Sequence, residues 1–271
     1  MGIFWFGVGA GGFGGVGGCS AMRQGVCLVA LGGAVEGQDG LSSPAMKVPH
    51  FHRMEVVGVM VLNALVWGYD QSLGPVGSMI LSDRYGAVPV RMVAAWHAFR
   101  EQGLGSGILA AALPLVTANY LHASFMHLAM NMLFFWIFGN AVSEAAGRVL
   151  FLLLYLLGGI VAVLVYVRTN PTSEIPMVGA SGAIAALEGA YFVFAYRWEL
   201  PHAHVWPLDG PVAPWRLGIV ALIGFFLDTQ AFFGRVHDST AYGAHVGGFL
   251  GGAILAMIAA SVLRPRFRRR D

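Results

Sequence analysis

Long apolar runs separated by short polar segments dominate the chain from about residue 56 onward. A helix needs about 20 apolar residues to cross a bilayer, and six runs approach that length without an internal charge cluster. The pattern therefore predicts an all-α membrane protein, built as a six-transmembrane-helix bundle. The predicted spans cover residues 56–73, 124–142, 149–167, 179–197, 215–232 and 242–263.

Two connections between these spans are longer than the others. Residues 74–123 hold charges, prolines and short apolar pieces such as "RMVAAWHAF" and "GILAAALPLV", which favour interfacial or re-entrant segments. Residues 198–214 carry four prolines and two histidines and are predicted to form a loop.

The distribution of charge predicts how the bundle lies in its membrane. Charged residues are only 11% of the chain, against roughly 25% in soluble domains. Because basic residues mark the cytoplasmic side and six spans return the chain to its starting side, we expect both termini in the cytoplasm. This placement favours a cell inner membrane and a role for the basic tail in topology, not nucleic-acid binding. The tail's arginines are Arg264, Arg266, Arg268, Arg269 and Arg270.

The N-terminal region differs from the rest. Residues 1–45 are glycine-rich and are predicted to be a disordered segment or a mispredicted start, with Met46 as the alternative first residue. We therefore expect a membrane domain at 46–263 and a basic cytoplasmic tail at 264–271. Both cysteines, Cys19 and Cys27, precede the membrane domain, which excludes a thiol nucleophile within it.

Polar residues recur near the start of every second span. Ser181 opens span four, His245 opens span six, and His127 and Asn131 lie four residues apart in span two. That spacing puts the last two on one helix face. Because even-numbered spans all enter from the non-cytoplasmic face, the four side chains are expected at similar depth.

This constellation has the residue types of a serine hydrolase. A serine hydroxyl becomes nucleophilic when an adjacent base such as His245 takes its proton. The oxyanion that follows needs donors, and the Ser181 backbone N–H, His127 and Asn131 can supply them. Small residues recur every fourth position in both helices, which lets their backbones approach closely. These stripes are Ser181, Ala185 and Gly189 in span four, and Ala244, Gly248 and Gly252 in span six.

Each residue also has a structural explanation. A single serine in a membrane helix commonly serves helix packing, a single histidine is usually a satisfied interior residue, and Asn131 would serve equally well to tie two helices together. Only the coincidence of all four at one depth favours chemistry.

Three short motifs resemble the signatures of the rhomboid intramembrane serine proteases. "GASGA" matches the serine motif G-x-S-G, "AHVGGFLGG" the histidine motif A-H-x-x-G-x-x-x-G, and "HASFMHLAMNM" the histidine and asparagine of the second core helix. The similarity extends over about residues 56–263 and is closest to the bacterial six-span branch.

The resemblance implies an intramembrane serine endopeptidase with a Ser181–His245 dyad, and with His127, Asn131 and the Ser181 backbone as oxyanion donors. Its substrates would be single-span membrane proteins, reached in the lipid bilayer through a cavity gated by span five. No cofactor or metal is implied, and the oligomeric state stays open.

The sequence departs from this family at three places. Some members stack an aromatic side chain on the histidine, where this chain has Ala185. The glutamate after span two is displaced to Glu144, and only Trp96 and Arg100 approximate the Trp-Arg pair of the first loop.

The same residues bear on three alternative functions. A catalytically inactive rhomboid-like protein that binds membrane clients stays open, although both the serine and histidine motifs are intact. A transporter would usually show an internal repeat, and none is found. A membrane metalloprotease would need an H-E-x-x-H motif, which is absent.

Glu188 is not explained by the resemblance. It lies seven residues after Ser181 in span four, and an ionised carboxylate there would be costly. We expect a protonated structural tie below the site, hydrogen-bonded to Asn140 or Asn63.

Overall fold

The computed structural model describes residues 53–103, 106–204, 211–234, 241–262 and 267. The glycine-rich segment 1–45 and, apart from Phe267, the basic tail 264–271 lie outside these residues. Within them the protein is almost entirely helical.

Every predicted span corresponds to a helix. In chain order the elements are α1 Met54–Ser72, α2 Gly74–Tyr85, α3 Pro89–Gln102, α4 Ser106–Ala112, α5 Pro114–Thr117, a 3₁₀ turn Ala118–Tyr120, α6 Phe125–Ala146, α7 Arg148–Thr169, α8 Ser181–Arg197, the strands β1 Ala203–His204 and β2 Pro211–Val212, α9 Pro214–Phe233 and α10 Tyr242–Val262. The predicted loop 198–214 thus contains a two-residue antiparallel ladder, in which Ala203 pairs with Val212.

Four of these helices are long and apolar enough to cross a membrane: α6, α7, α9 and α10. The chain is therefore an all-α membrane protein. Helix α8 has 17 residues and is shorter than a usual span. Helix α1 has 19 residues but carries Glu55, Asn63 and Asp70. That α1 and α8 also cross the membrane stays a prediction.

Helix α8 is the centre of the bundle. Twelve of its 17 residues are buried, and it packs against α6, α7, α9 and α10. A helix surrounded on all sides is apolar on all sides, which explains its alanine-rich and glycine-rich sequence.

Glycines bring α8 and α10 into backbone contact. A Cβ at Gly248 would collide with the carbonyl oxygen of Gly182, and one at Gly252 with the carbonyl oxygen of Ala186. On α8, a Cβ at Gly189 would collide with the carbonyl oxygen of Phe249. The small-residue stripe predicted on α10 is thus confirmed. On α8 the residues in contact are Gly182, Ala186 and Gly189, so the contact face is rotated slightly from the predicted row of Ser181, Ala185 and Gly189.

The long connection between α1 and α6 folds onto the segment that leads to α8. Ala87 and Met177 exchange two backbone hydrogen bonds of 3.0 and 2.9 Å, and the Gly179 N–H donates to the Ala118 carbonyl at 2.9 Å. Thr117 Oγ1 also donates to the Tyr85 carbonyl at 2.6 Å. The connection, predicted only to be interfacial or re-entrant, therefore fixes the start of α8.

Polar side chains join the beginning of α1 to the end of α6. Arg53 Nη2 lies 3.7 Å from Glu144 Oε2, and the Ser143 hydroxyl donates to a Glu55 carboxylate oxygen. The start of α1 and the end of α6 therefore lie at the same end of the bundle, as alternating spans require. These contacts also give the displaced Glu144 a structural role.

We expect Gly252→Ala to destabilise the bundle, because the added Cβ meets the Ala186 backbone, which has no flexible side chain to move away. Overpacking of this kind costs about 1–3 kcal/mol. Gly58→Ala in α1 is the matched control, since a Cβ there has no heavy atom within 4 Å. Unfolding in mixed micelles at increasing SDS measures both variants. Equal stability of the two would contradict the close contact.

Candidate active site

Ser181 is the first residue of α8, where backbone N–H groups have no partner within the helix. The residues before it are held by hydrogen bonds to the long connection, described above. Gly179 has a φ of 126°, a conformation that favours glycine. A Cβ at Gly179 would also lie 2.7 Å from His127 Cε1, so the chain passes directly beneath the His127 ring.

His245 lies in the first turn of α10 and reaches Ser181 across the contact between α8 and α10. Its Nε2 is 2.8 Å from Ser181 Oγ, a hydrogen-bonding distance. The two residues are 64 positions apart in sequence, and close packing at Gly182 and Gly248 brings their helix ends together.

His127 and Asn131 approach the same place from α6. Ser124 caps this helix and accepts a hydrogen bond from the His127 N–H at 3.1 Å, which sets where the helix begins. Asn131 Nδ2 is buried and has no hydrogen-bond partner among the described residues, and it lies 3.6 Å from the Cβ position of Gly179. A buried donor left unpaired beside the segment that leads into α8 is suited to an oxyanion.

A fifth polar residue, Asp228 of α9, was not anticipated. Its Oδ1 lies 3.2 Å from His245 Nδ1, on the side of the ring opposite Ser181. One signal in the sequence points to it: Asp228 is the single acidic residue of an apolar span, and such residues are functional candidates by default. The sequence prediction considered only polar residues near the starts of even-numbered spans. Asp228 lies near the end of an odd-numbered span, which reaches the same depth, and was therefore missed.

His122 is a second unanticipated neighbour. It is buried just before α6, and its ring packs edge-on against His127 with 5.2 Å between centroids. Burial, reinforced by the neighbouring His127, lowers the pKa of His122 to about 4. A neutral His122 therefore supports the His127 ring at physiological pH.

The prediction for Glu188 was wrong about its partners. Asn63 Nδ2 donates to the Val59 carbonyl at 2.8 Å, and Asn140 Nδ2 to the Trp136 carbonyl at 2.7 Å, each within its own helix. Glu188 instead faces α9, with Oε2 3.8 Å from the Cβ position of Gly224 and within electrostatic range of Asp228. The rotation of α8 about its axis, which sequence counting fixes only coarsely, turns this side chain away from α1 and α6.

The missing aromatic neighbour of His245 is partly replaced from within α10. Ala185 packs beside the Cβ position of Gly248 at 3.4 Å, while the Tyr242 ring meets His245 edge-on with 6.3 Å between centroids. Across the described ranges, no three histidine, cysteine, aspartate or glutamate side chains form a group that would hold a metal ion.

Comparison with known proteins places this geometry in a family. The model of the Rhomboid domain matches residues 110–262, which is more than half of the chain and includes α6 to α10. The chain is 31% identical to the mitochondrial presenilin-associated rhomboid-like protein A of Danio rerio, over 52% of this chain and 36% of that protein. It is 35% identical to the chloroplastic rhomboid-like protein 11 of Arabidopsis thaliana, over 38% of each.

The rhomboid protease GluP of Bacillus subtilis is 40% identical over 30% of this chain and 15% of its own length. The chain thus spans less than half the length of these curated relatives. Since the domain match covers the helices that carry Ser181, His245, His127 and Asn131, the chain belongs to the rhomboid family.

Proposed function

We propose that this protein is an intramembrane serine endopeptidase that cleaves single-span membrane proteins. The observation that carries the proposal is the 2.8 Å contact between His245 Nε2 and Ser181 Oγ. A serine paired with a base at the end of a buried helix has the geometry of an activated nucleophile.

The reaction follows from where these atoms lie. Ser181 Oγ attacks the scissile carbonyl carbon while its proton moves to His245 Nε2. The peptide C–N bond then breaks, and the imidazolium gives that proton to the leaving amine. Water attacks the resulting ester with His245 again as the base, which releases the acid and restores the serine.

The oxyanion of each tetrahedral intermediate would lie between the start of α8 and the start of α6. Ser181 supplies its backbone N–H, and His127 and Asn131 supply side-chain donors. The unpaired, buried Asn131 Nδ2 supports this role, because a preorganised donor does not have to reorganise during the reaction.

The membrane side and location are part of the proposal. Ser181 and His245 lie where α8 and α10 begin, which is the non-cytoplasmic end if the arginine-rich C-terminus is cytoplasmic. We therefore propose a multi-pass protein of a bacterial inner membrane with both termini in the cytoplasm.

A client-binding relative without activity is the competing function, and the same variants separate the two. We expect Ser181→Ala and His245→Ala to abolish cleavage of a single-span reporter in proteoliposomes, because each removes one partner of the 2.8 Å pair. A fluorophosphonate should label Ser181 in the native protein only. Labelling is read by mass spectrometry of the modified peptide.

Matched controls are Ser72→Ala and His97→Ala, which make the same changes at exposed positions and should leave the rate unchanged. Binding of the reporter without cleavage by the native protein would favour the client-binding function and exclude the endopeptidase.

Asn131→Ala tests the oxyanion role separately. Loss of one such donor costs about 10²-fold in turnover. Because the Asn131 amide nitrogen has no hydrogen-bond partner among the described residues, its removal should change the melting temperature little. Asn140→Ala is the control on the same helix, since its amide nitrogen donates to the Trp136 carbonyl within α6. A large fall in melting temperature with a proportionate loss of activity would assign Asn131 to the fold.

A further inference from the structure

We infer that Asp228 is a positioning residue for His245, so that the site is a Ser–His–Asp triad formed by three helices. The inference rests on the proposed function and adds to it the group that orients the base. Neither the family motifs nor the dyad they imply contains this residue.

The two nitrogens of the His245 ring have different partners. Nε2 is 2.8 Å from Ser181 Oγ, and Nδ1 is 3.2 Å from Asp228 Oδ1. The two atoms are at ion-pair distance, and because a carboxylate only accepts hydrogen bonds, Asp228 favours the tautomer that carries its hydrogen on Nδ1. Nε2 is then left as the acceptor that a general base must offer to the serine hydroxyl.

Three helix ends meet at this point. Ser181 begins α8, His245 is in the first turn of α10, and Asp228 is five residues before the end of α9. Because α9 runs opposite to α8 and α10, its last turns lie level with their first turns. The pairing is therefore a consequence of topology as well as of side-chain reach.

Membrane energetics also favours a role for this carboxylate. A carboxylate within a membrane protein is costly and is normally paired. The Asp228 side chain is 28% exposed and that of His245 is 17% exposed, so the pair is partly shielded but not sealed. The second half of α9 contributes no buried residue, so Asp228 has no evident packing role.

Polar side chains of α6, α8 and α10 lie near the His245–Asp228 pair. His245 is approached by Ser181 from α8, by His127 from α6 and by Tyr242 from its own helix. Asp228 is approached by Glu188 of α8. Of these two carboxyl groups, Asp228 is the one in contact with His245.

The chemical consequence concerns the charged intermediate. When Nε2 takes the Ser181 proton, the ring becomes an imidazolium, and the Asp228 carboxylate beside Nδ1 stabilises it without taking a proton. Asp228 also prevents the ring from rotating or adopting the other tautomer. Since Ala185 offers no aromatic stacking surface, Asp228 supplies the orientation that such a ring would give.

The test is Asp228→Asn in the full-length protein, assayed by reporter cleavage in proteoliposomes. In a soluble serine protease the equivalent change lowers kcat by about 10⁴-fold with the geometry intact. We expect a loss of at least about 10²-fold in kcat here, with KM unchanged, because the reacting base and not substrate binding is affected.

The conservative variant gives a readout that a structural role would not move. Asp228→Glu keeps the carboxylate and should recover part of the lost rate.

Two matched controls separate this role from general effects of charge. Asp83→Asn makes the same change in an exposed ion pair with Arg91 and should retain full activity. Glu188→Gln removes the neighbouring carboxyl while keeping its shape, and it should also retain activity within a few-fold.

The inference is overturned if folded Asp228→Asn cleaves at the native rate. It is also overturned if the loss of activity follows a proportionate fall in melting temperature, or appears in KM and not in kcat. If Asp228→Asn does not fold, Asp228→Glu provides the test. A folded Asp228→Glu protein without any cleavage activity would exclude the positioning role. Failure of the proposed function is distinct, because then the native protein itself would neither cleave nor be labelled at Ser181.

Discussion

Backbone contact between α8 and α10 is the constraint on which the site depends. Glycines at 189, 248 and 252 let the two helices approach until a carbonyl of one occupies the Cβ position of the other. Lipid gives helices no hydrophobic reason to associate, so such packing supplies much of the attraction. The same contact determines the separation of Ser181 and His245, because both lie in the first turn of their helices. Stability and geometry thus depend on one row of small residues.

The other helices and the long connection fix the surroundings of Ser181 and His245. The long connection fixes the segment before Ser181 through backbone hydrogen bonds of 2.9 to 3.0 Å, and Gly179 lets this segment pass beneath His127. Helix α9 places Asp228 beside Nδ1 of His245. Polar groups that would be costly one by one in a membrane are paired with each other, whereas the buried Asn131 Nδ2 has no hydrogen-bond partner in the described part of the chain.

Sequence reasoning predicted the helices, their order and the meeting of Ser181 with His245, because span length, alternation and small-residue spacing are properties of single helices. It did not predict which way each helix faces its neighbours. Glu188 was therefore assigned to Asn140 or Asn63 and in fact faces α9, and Asp228 was not considered. The backbone pairing of Ala87 with Met177 could not be predicted either, since contacts between distant loops leave no periodic pattern in the sequence.

A peptide chloromethyl ketone carrying a transmembrane segment tests most directly whether Ser181 and His245 act as one unit. Serine addition to the ketone carbonyl holds the chloromethyl carbon near the base, and a base at 2.8 Å from the serine oxygen then displaces chloride. Peptide mapping by mass spectrometry should find the alkyl group on His245 in the native protein and none in Ser181→Ala. Alkylation of His122 or His127 in place of His245, or equal alkylation without Ser181, would contradict the account.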